Sequence, residues 1–100
     1  MNNLRKKIYQ MVKSNNFKVD SFIHPTARVA NNVVLGESTI VFENSVIQPF
    51  VKMGVCNIVW SNTTIAHNAE IGNFNFFSAG CTISGDTKIT NNCFFGALLH

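Results

Sequence analysis

The chain has 100 residues, 46% hydrophobic and 13% charged, which bounds it to one domain with a small core and excludes a disordered chain and a coiled coil. Its net charge of +3 is unevenly spread: residues 1–18 hold Arg5, Lys6, Lys7, Lys13 and Lys18 and no acid, while residues 19–100 hold three cations against five acids and offer no basic face for nucleic acid. No apolar run reaches a membrane span, Leu4 is followed at once by Arg5, Lys6 and Lys7 where a signal peptide needs an apolar core, and three cysteines without a Cys-x-x-Cys pair argue against a disulfide framework and for a reducing cytoplasm.

In chain order, Leu4, Ile8, Met11 and Val12 recur at helical spacing and the pattern stops at Asn15-Asn16, which predicts a helix over about residues 3–14. Residues 1–18 therefore read as an N-terminal helix and linker, and residues 19–100 as a second region of different character. The basic side chains of the helix read as a solvated face. Its apolar stripe spans about one and a half turns, short for a membrane-surface helix. The stripe is expected to cover the open lower end of the repeat structure that follows, since solenoids need capping.

From Ile23 a six-residue clock runs through Val29, Leu35, Val41, Ile47, Met53, Val59, Ile65, Ile71, Phe77, Ile83, Ile89 and Phe95. All thirteen are large and apolar, although Ile, Leu, Val, Met and Phe are only 35 of the 100 residues; chance gives such a run about once in a million for a given frame. Two residues before each stands a small or medium residue, from Ser21, Ala27, Val33 and Thr39 through to Thr87 and Cys93. Positions two apart on a strand share a face, so each hexapeptide reads as a short strand turning one small and one large residue inward. Asn31, Asn32, Asn44, Asn62, Asn68, Asn73, Asn91 and Asn92 then fall where the chain must turn, and Asn tolerates the left-handed backbone of tight corners.

Gly36, Gly54 and Gly72 repeat at eighteen, or three hexapeptides. Three strands and three corners thus make one triangular coil, and coils stack at about 4.8 Å. The expected fold is all-β, a parallel β-helix of about four coils carrying a short N-terminal helix. After Phe95-Gly96 the clock fails at Ala97-Leu98-Leu99-His100, so the repeat region reads as C-terminally incomplete.

Three histidines offer chemistry. His24 and His67 are 43 residues apart, which is no multiple of eighteen, so they do not stack, and a metal site is not expected. His67 falls at a corner, in solvent, and the residue one coil above it is Gly85. A glycine there lets a ligand reach the backbone and leaves an N–H to bond it. A base beside a backbone donor suits acyl transfer: the base takes a proton from the attacking hydroxyl or amine while the N–H holds the developing oxyanion. Cys81 and Cys93 fall on inward rungs and Cys56 near a corner; without a basic neighbour, these read as inert.

The hexapeptide register over residues 21–96 resembles the hexapeptide-repeat acyltransferases, and this resemblance supplies the left hand of the helix. The stretch Ser61 to Gly85, SNTTIAHNAEIGNFNFFSAGCTISG, is similar to the sugar O-acyltransferase branch, the sialic-acid O-acetyltransferase-like and bacillosamine N-acetyltransferase-like proteins. Phe22-Ile23-His24-Pro25-Thr26-Ala27 is similar to that branch's entry motif, in which His24 and Pro25 would be structural. The resemblance implies an acetyl-CoA-dependent acetyltransferase acting on a sugar or amino-sugar hydroxyl or amine, often nucleotide-linked. His67 would be the general base, and Gly85 would turn its amide to the thioester carbonyl, making Gly85 both a catalytic and an acetyl-CoA-binding residue.

The sequence departs from that branch at three points. Asn68 follows the base where an acid is common, no second histidine stands near Asn75 or Ala79, and the chain starts at what resembles the last helix of the branch's nucleotide-sugar-binding region. With Lys88 the only cation past Lys52, the chain by itself is expected to hold acetyl-CoA weakly. Two other readings stay open: a truncated, non-catalytic β-solenoid and a zinc γ-carbonic-anhydrase-like enzyme. The outward residues of one face, Phe22, Ile40, Ile58, Phe76 and Phe94, with Phe42 and Trp60 beside them, form an apolar stripe that predicts a homotrimer through that face.

Overall fold

The computed structural model of the chain describes residues 2–14 and 20–96. The expected stop at Asn15-Asn16 and the tail Ala97-Leu98-Leu99-His100 lie outside the described residues.

Helix α1 (Asn2–Ser14) is followed by thirteen two-residue strands, each ending on one of the thirteen apolar residues of the six-residue clock. The first face of the prism stacks β1 (Phe22–Ile23), β4 (Ile40–Val41), β7 (Ile58–Val59), β10 (Phe76–Phe77) and β13 (Phe94–Phe95). The second stacks β2 (Arg28–Val29), β5 (Val46–Ile47), β8 (Thr64–Ile65) and β11 (Thr82–Ile83). The third stacks β3 (Val34–Leu35), β6 (Lys52–Met53), β9 (Glu70–Ile71) and β12 (Lys88–Ile89). Every pairing is parallel with a step of eighteen, as in Ile40 on Ile58 and Thr64 on Thr82. The result is a three-sided parallel β-solenoid of about four turns.

Two kinds of ladder fill the prism. The large residues stack into an apolar core in which Val41, Ile47, Val59, Ile65 and Phe77 are fully buried and the Phe77 and Phe95 rings lie parallel at 5.1 Å. Complete burial of a side chain of this size stabilises by about 1.5–3 kcal/mol. The small residues form hydrogen-bonded columns: Asn57 Oδ1 accepts from Asn75 N–H at 2.9 Å, Asn75 Oδ1 accepts from Cys93 N–H at 2.9 Å, and Asn57 Nδ2 donates to Gly72 O at 2.8 Å. Ser45 and Thr63 do the same on the next column, so among the described residues no buried side-chain polar atom lacks a partner. A side chain that bridges successive coils ties their spacing to a directional bond as well as to packing.

The corners repeat with equal regularity. Ser38, Asn44, Phe50, Cys56, Asn62, Asn68, Phe74, Gly80, Asp86 and Asn92, six apart, all have φ between 57° and 78°. Of the asparagines expected there, Asn44, Asn62, Asn68 and Asn92 adopt this backbone; Asn31, Asn32, Asn73 and Asn91 do not. Asn73 and Asn91 work through their side chains instead, accepting N–H bonds from Val55 at 2.8 Å and Asn73 at 2.6 Å in the coil below. The glycine column answers to close approach: a β-carbon on Gly54 would overlap Asn73 Oδ1 and stand 2.8 Å from Gly72 O.

Helix α1 does not cover the lower end of the prism. Lys6 Nζ lies 5.7 Å from the Phe74 ring, Tyr9 meets that ring edge-on at 6.1 Å, and Lys13 Nζ donates to Glu37 Oε1 at 2.9 Å. Glu37 and Phe74 are two coils apart, ~10 Å, which matches the ~10 Å rise from Lys6 to Lys13 along a helix. The helix therefore runs down the outside of the corner between the third and first faces. It docks through Tyr9 and Val12, with Leu4, Ile8 and Met11 exposed, because this corner is where Phe74 and Cys56 offer an apolar edge and Glu37 a carboxylate. Burial and the nearby Glu37 charge push the Tyr9 hydroxyl above its ordinary pKa, and the hydrogen bond to Glu37 raises that of Lys13.

This docking also amends the expected apolar stripe. Ile40 and Ile58 border the same cleft as Ile8, Tyr9 and Val12, so the chain's own helix flanks them. Phe22, Trp60 and Phe94 remain exposed on that face, in an aromatic row where Phe42 and Trp60 are 4.3 Å apart and Phe76 and Phe94 stack at 5.0 Å.

Candidate active site

The corner between the second and third faces carries, in ascending order, Asn31-Asn32, Pro49-Phe50, His67-Asn68 and Gly85-Asp86, one pair per coil. The ladder along it is continuous: Asn68 N–H donates to Pro49 O at 3.1 Å and Asp86 N–H donates to His67 O at 3.1 Å. These bonds fix the His67 backbone between two neighbouring coils.

The imidazole is fixed in turn. His67 Nδ1 bonds Asn68 Oδ1 at 3.2 Å; an amide oxygen only accepts, so Nδ1 is the donor in this bond and Nε2 is the ring nitrogen left to face a ligand. Nε2 and Cε1 lie against Gly85, where a β-carbon would stand 3.0 Å from each. The ring thus occupies space that any other residue at 85 would contest. Gly85 has no left-handed φ, so its requirement is this contact, not backbone freedom.

The two corner amides are in different states. His67 N–H donates to Gln48 Oε1 at 3.0 Å, from one coil below. The residue in that place relative to Gly85 is Ala66, which has no acceptor, and among the described residues Gly85 N–H makes no hydrogen bond. A residue with an unengaged backbone donor thus sits against the Nε2 side of the imidazole. Both are accessible: His67 is exposed and Gly85 half-buried. Shallow grooves flank the corner, one on the second face ending at Gln48 and Pro49, one on the third face lined by Lys52, Glu70 and Lys88.

The structure brings His67 and Gly85 together, as their spacing implied, and keeps His24 apart. His24 Nδ1 accepts from Thr26 Oγ1 at 3.0 Å and from Thr26 N–H at 3.2 Å at the corner between the first and second faces, where it closes the first turn. His100 lies outside the described residues. Among the described residues no three His, Cys, Asp or Glu side chains group as metal ligands. Cys81 is partly buried, and burial pushes its thiol pKa up, the wrong direction for a nucleophile. Sequence reasoning passed over Gln48, nineteen residues below His67, and Phe50, eighteen below Asn68; the eighteen-residue step would have placed both at this corner.

No protein-family model and no curated protein matches the sequence. Among solved structures, the acetyltransferase domain of PglB from Neisseria gonorrhoeae FA1090 matches with a TM-score of 0.72 and 18% identity, over 93% of this chain and 54% of that one. The same domain in complex with acetyl coenzyme A matches equally well. PerB from Caulobacter crescentus, in complex with CoA and GDP-perosamine, matches with a TM-score of 0.60 and 22% identity, over 95% of this chain and 57% of that one. The chain thus spans little more than half the length of these structures, and at such identities the likeness establishes the fold.

Proposed function

We propose that this chain carries the acyl-transfer site of an acetyl-CoA-dependent transferase of the left-handed β-helix kind, whose acceptor is the amine or hydroxyl of a sugar or amino sugar, nucleotide-linked in the fullest form of the reading. The observation that carries it is the contact between the His67 imidazole and Gly85, with Nδ1 turned to Asn68, Nε2 turned to Gly85 and the Gly85 N–H unengaged among the described residues. The structural neighbours solved with acetyl coenzyme A, or with CoA and GDP-perosamine, support the choice of donor and acceptor.

His67 Nε2 takes the proton from the acceptor amine or hydroxyl as its nitrogen or oxygen attacks the acetyl carbonyl carbon. The Gly85 N–H donates to the carbonyl oxygen as negative charge builds there; one such donor contributes about 10²–10³ in rate. When the C–S bond breaks, His67 returns its proton to the departing sulfur, so the products are the acetylated acceptor and the free thiol. Asn68 holds the ring orientation throughout, and a neutral amide in place of a carboxylate does so without adding charge.

The same reading places the protein in a reducing cytoplasm, in keeping with three cysteines outside any disulfide, and as a homotrimer associated through the exposed aromatic row of the first face. That face is opposite the His67 corner, so association there leaves the site accessible. A trimeric mass by light scattering is expected; a monomer at micromolar concentration would remove the assembly from the account.

The direct test is thiol release from millimolar acetyl-CoA, measured with and without a panel of free and nucleotide-linked amino sugars. Acceptor-dependent release supports the reading. Absence of release with every acceptor, from a chain whose circular dichroism shows it folded, rejects it.

A further inference from the structure

Two corners carry a phenylalanine in the left-handed region, Phe50 with φ 65° and Phe74 with φ 59°. For a bulky side chain this backbone is strained, by about 1–2 kcal/mol relative to an ordinary region. Phe74 has an evident offset: it is 7% exposed, packed under α1 against Tyr9 and Lys6. Phe50 is 58% exposed and, among the described residues, joins no ring pair. Its N–H is pinned by Asn32 Oδ1 at 3.3 Å, so the turn holds although more than half of the residue's surface stays in solvent. The other left-handed corner residues are Ser, Asn, Cys, Asp or Gly, any of which would fit here at lower cost. An observed strain that burial offsets far less than at Phe74 points to a use outside the fold.

Position identifies the use. Gly85 lies one coil above His67 and marks the side on which the acyl carbonyl is held; Phe50 lies one coil below, beside the groove that ends at Gln48 and Pro49. The attacking atom must come within about 3 Å of Nε2. The body of the acceptor must then extend away from the carbonyl, over the coil ~4.8 Å below. A pyranose ring bearing the attacking amine or hydroxyl is of that size, whereas the base of a nucleotide-linked sugar would lie a diphosphate further out. We propose that Phe50 is an acceptor-positioning residue, an aromatic platform against which the apolar C–H face of the acceptor's pyranose ring stacks. This rests on the acyl-transfer reading above.

Phe50→Asn is the informative variant, because Asn suits the left-handed corner and the fold should keep or gain stability. Loss of a single stacking contact predicts an acceptor KM raised about five- to tenfold, an unchanged KM for acetyl-CoA, an unchanged or higher melting temperature, and recovery in Phe50→Tyr. An unchanged acceptor KM would overturn the proposal. So would a rise in both KM values accompanied by a fall in oligomer mass, which would make Phe50 an interface residue. Saturation-transfer NMR of the amino sugar alone, irradiating the aromatic protons, reads the stacking without turnover: transfer to the pyranose C–H protons should be present in the wild type and lost in Phe50→Asn. Its absence from the wild type overturns the proposal even where acetyl transfer proceeds, and its presence in a chain that transfers nothing leaves the platform standing while the acyl-transfer reading falls.

Discussion

Two corners of the same prism, built on one backbone pattern, have been put to opposite ends. At the corner between the third and first faces, Gly36, Gly54 and Gly72 let coils approach, Phe74 turns under α1, and Glu37 holds Tyr9 and Lys13. At the corner between the second and third faces the column is His67 under Gly85 and Phe50 under Asn68, with no helix across it among the described residues. The first corner uses its special residues for packing; the second leaves an imidazole, a glycine with an unengaged N–H and an aromatic ring open to solvent. Regular corner geometry therefore says little about a residue's role, and what covers the corner says a good deal.

The largest effect should come from the open corner. His67→Ala should lower turnover by about 10²–10⁴ with little change in acetyl-CoA affinity or melting temperature. Steady-state kinetics with the best acceptor would read it, and wild-type turnover in the variant would dissolve the distinction between the corners.

Next comes the pair of phenylalanines. Phe74→Ala should cost about 3 kcal/mol, since it empties a buried site beneath α1, whereas Phe50→Ala should cost well under 1 kcal/mol. Urea denaturation of both variants checks this, and equal losses would mean that Phe50 packs like its counterpart.

The smallest effect concerns pH at the covered corner. Tyr9 and Lys13 both have pKa values raised by folding, through burial and the hydrogen bond to Glu37 respectively. A raised folded pKa means the stabilisation is complete below the unfolded value and is lost as pH climbs through the folded one. The docking of α1 should accordingly weaken above about pH 10, seen as loss of helical circular dichroism before the β signal changes. Helix and solenoid melting together across that range would show that α1 is not separately held.

Most of the solenoid was legible because the repeat overrides local preference: thirteen clock positions became thirteen strands, and the step of eighteen became the register of all three faces. The vertical relation of His67 to Gly85 was readable for the same reason. What stayed hidden depends on contacts across coils. Phe50 and Phe74 take left-handed backbone because the six-residue corner step puts them there, against their own preference, so no propensity marks them. The helix was read by its apolar stripe, but it docks by Tyr9 and Val12 because Phe74 and Glu37 happen to lie a helix turn or two apart along the prism edge. The inward Asn57 and Asn75 looked merely small, and only the stacked geometry shows each amide serving two coils.

The account turns on the contact between His67 and Gly85, and two glycine substitutions at different corners isolate it. Gly85→Ala retains the backbone N–H and an ordinary φ but sets a methyl group 3.0 Å from Nε2 and Cε1 of the imidazole, close enough to displace the ring, whereas Gly80→Ala, at φ 78° with open space around it, strains the backbone at a different corner from His67. Thiol release and thermal melting measured on both should separate: Gly85→Ala loses most of its acceptor-dependent turnover and melts close to the wild type, while Gly80→Ala keeps its turnover and loses about 1–2 kcal/mol of stability. Full turnover in Gly85→Ala would contradict the central claim, because the imidazole would then be working from somewhere other than the face of residue 85.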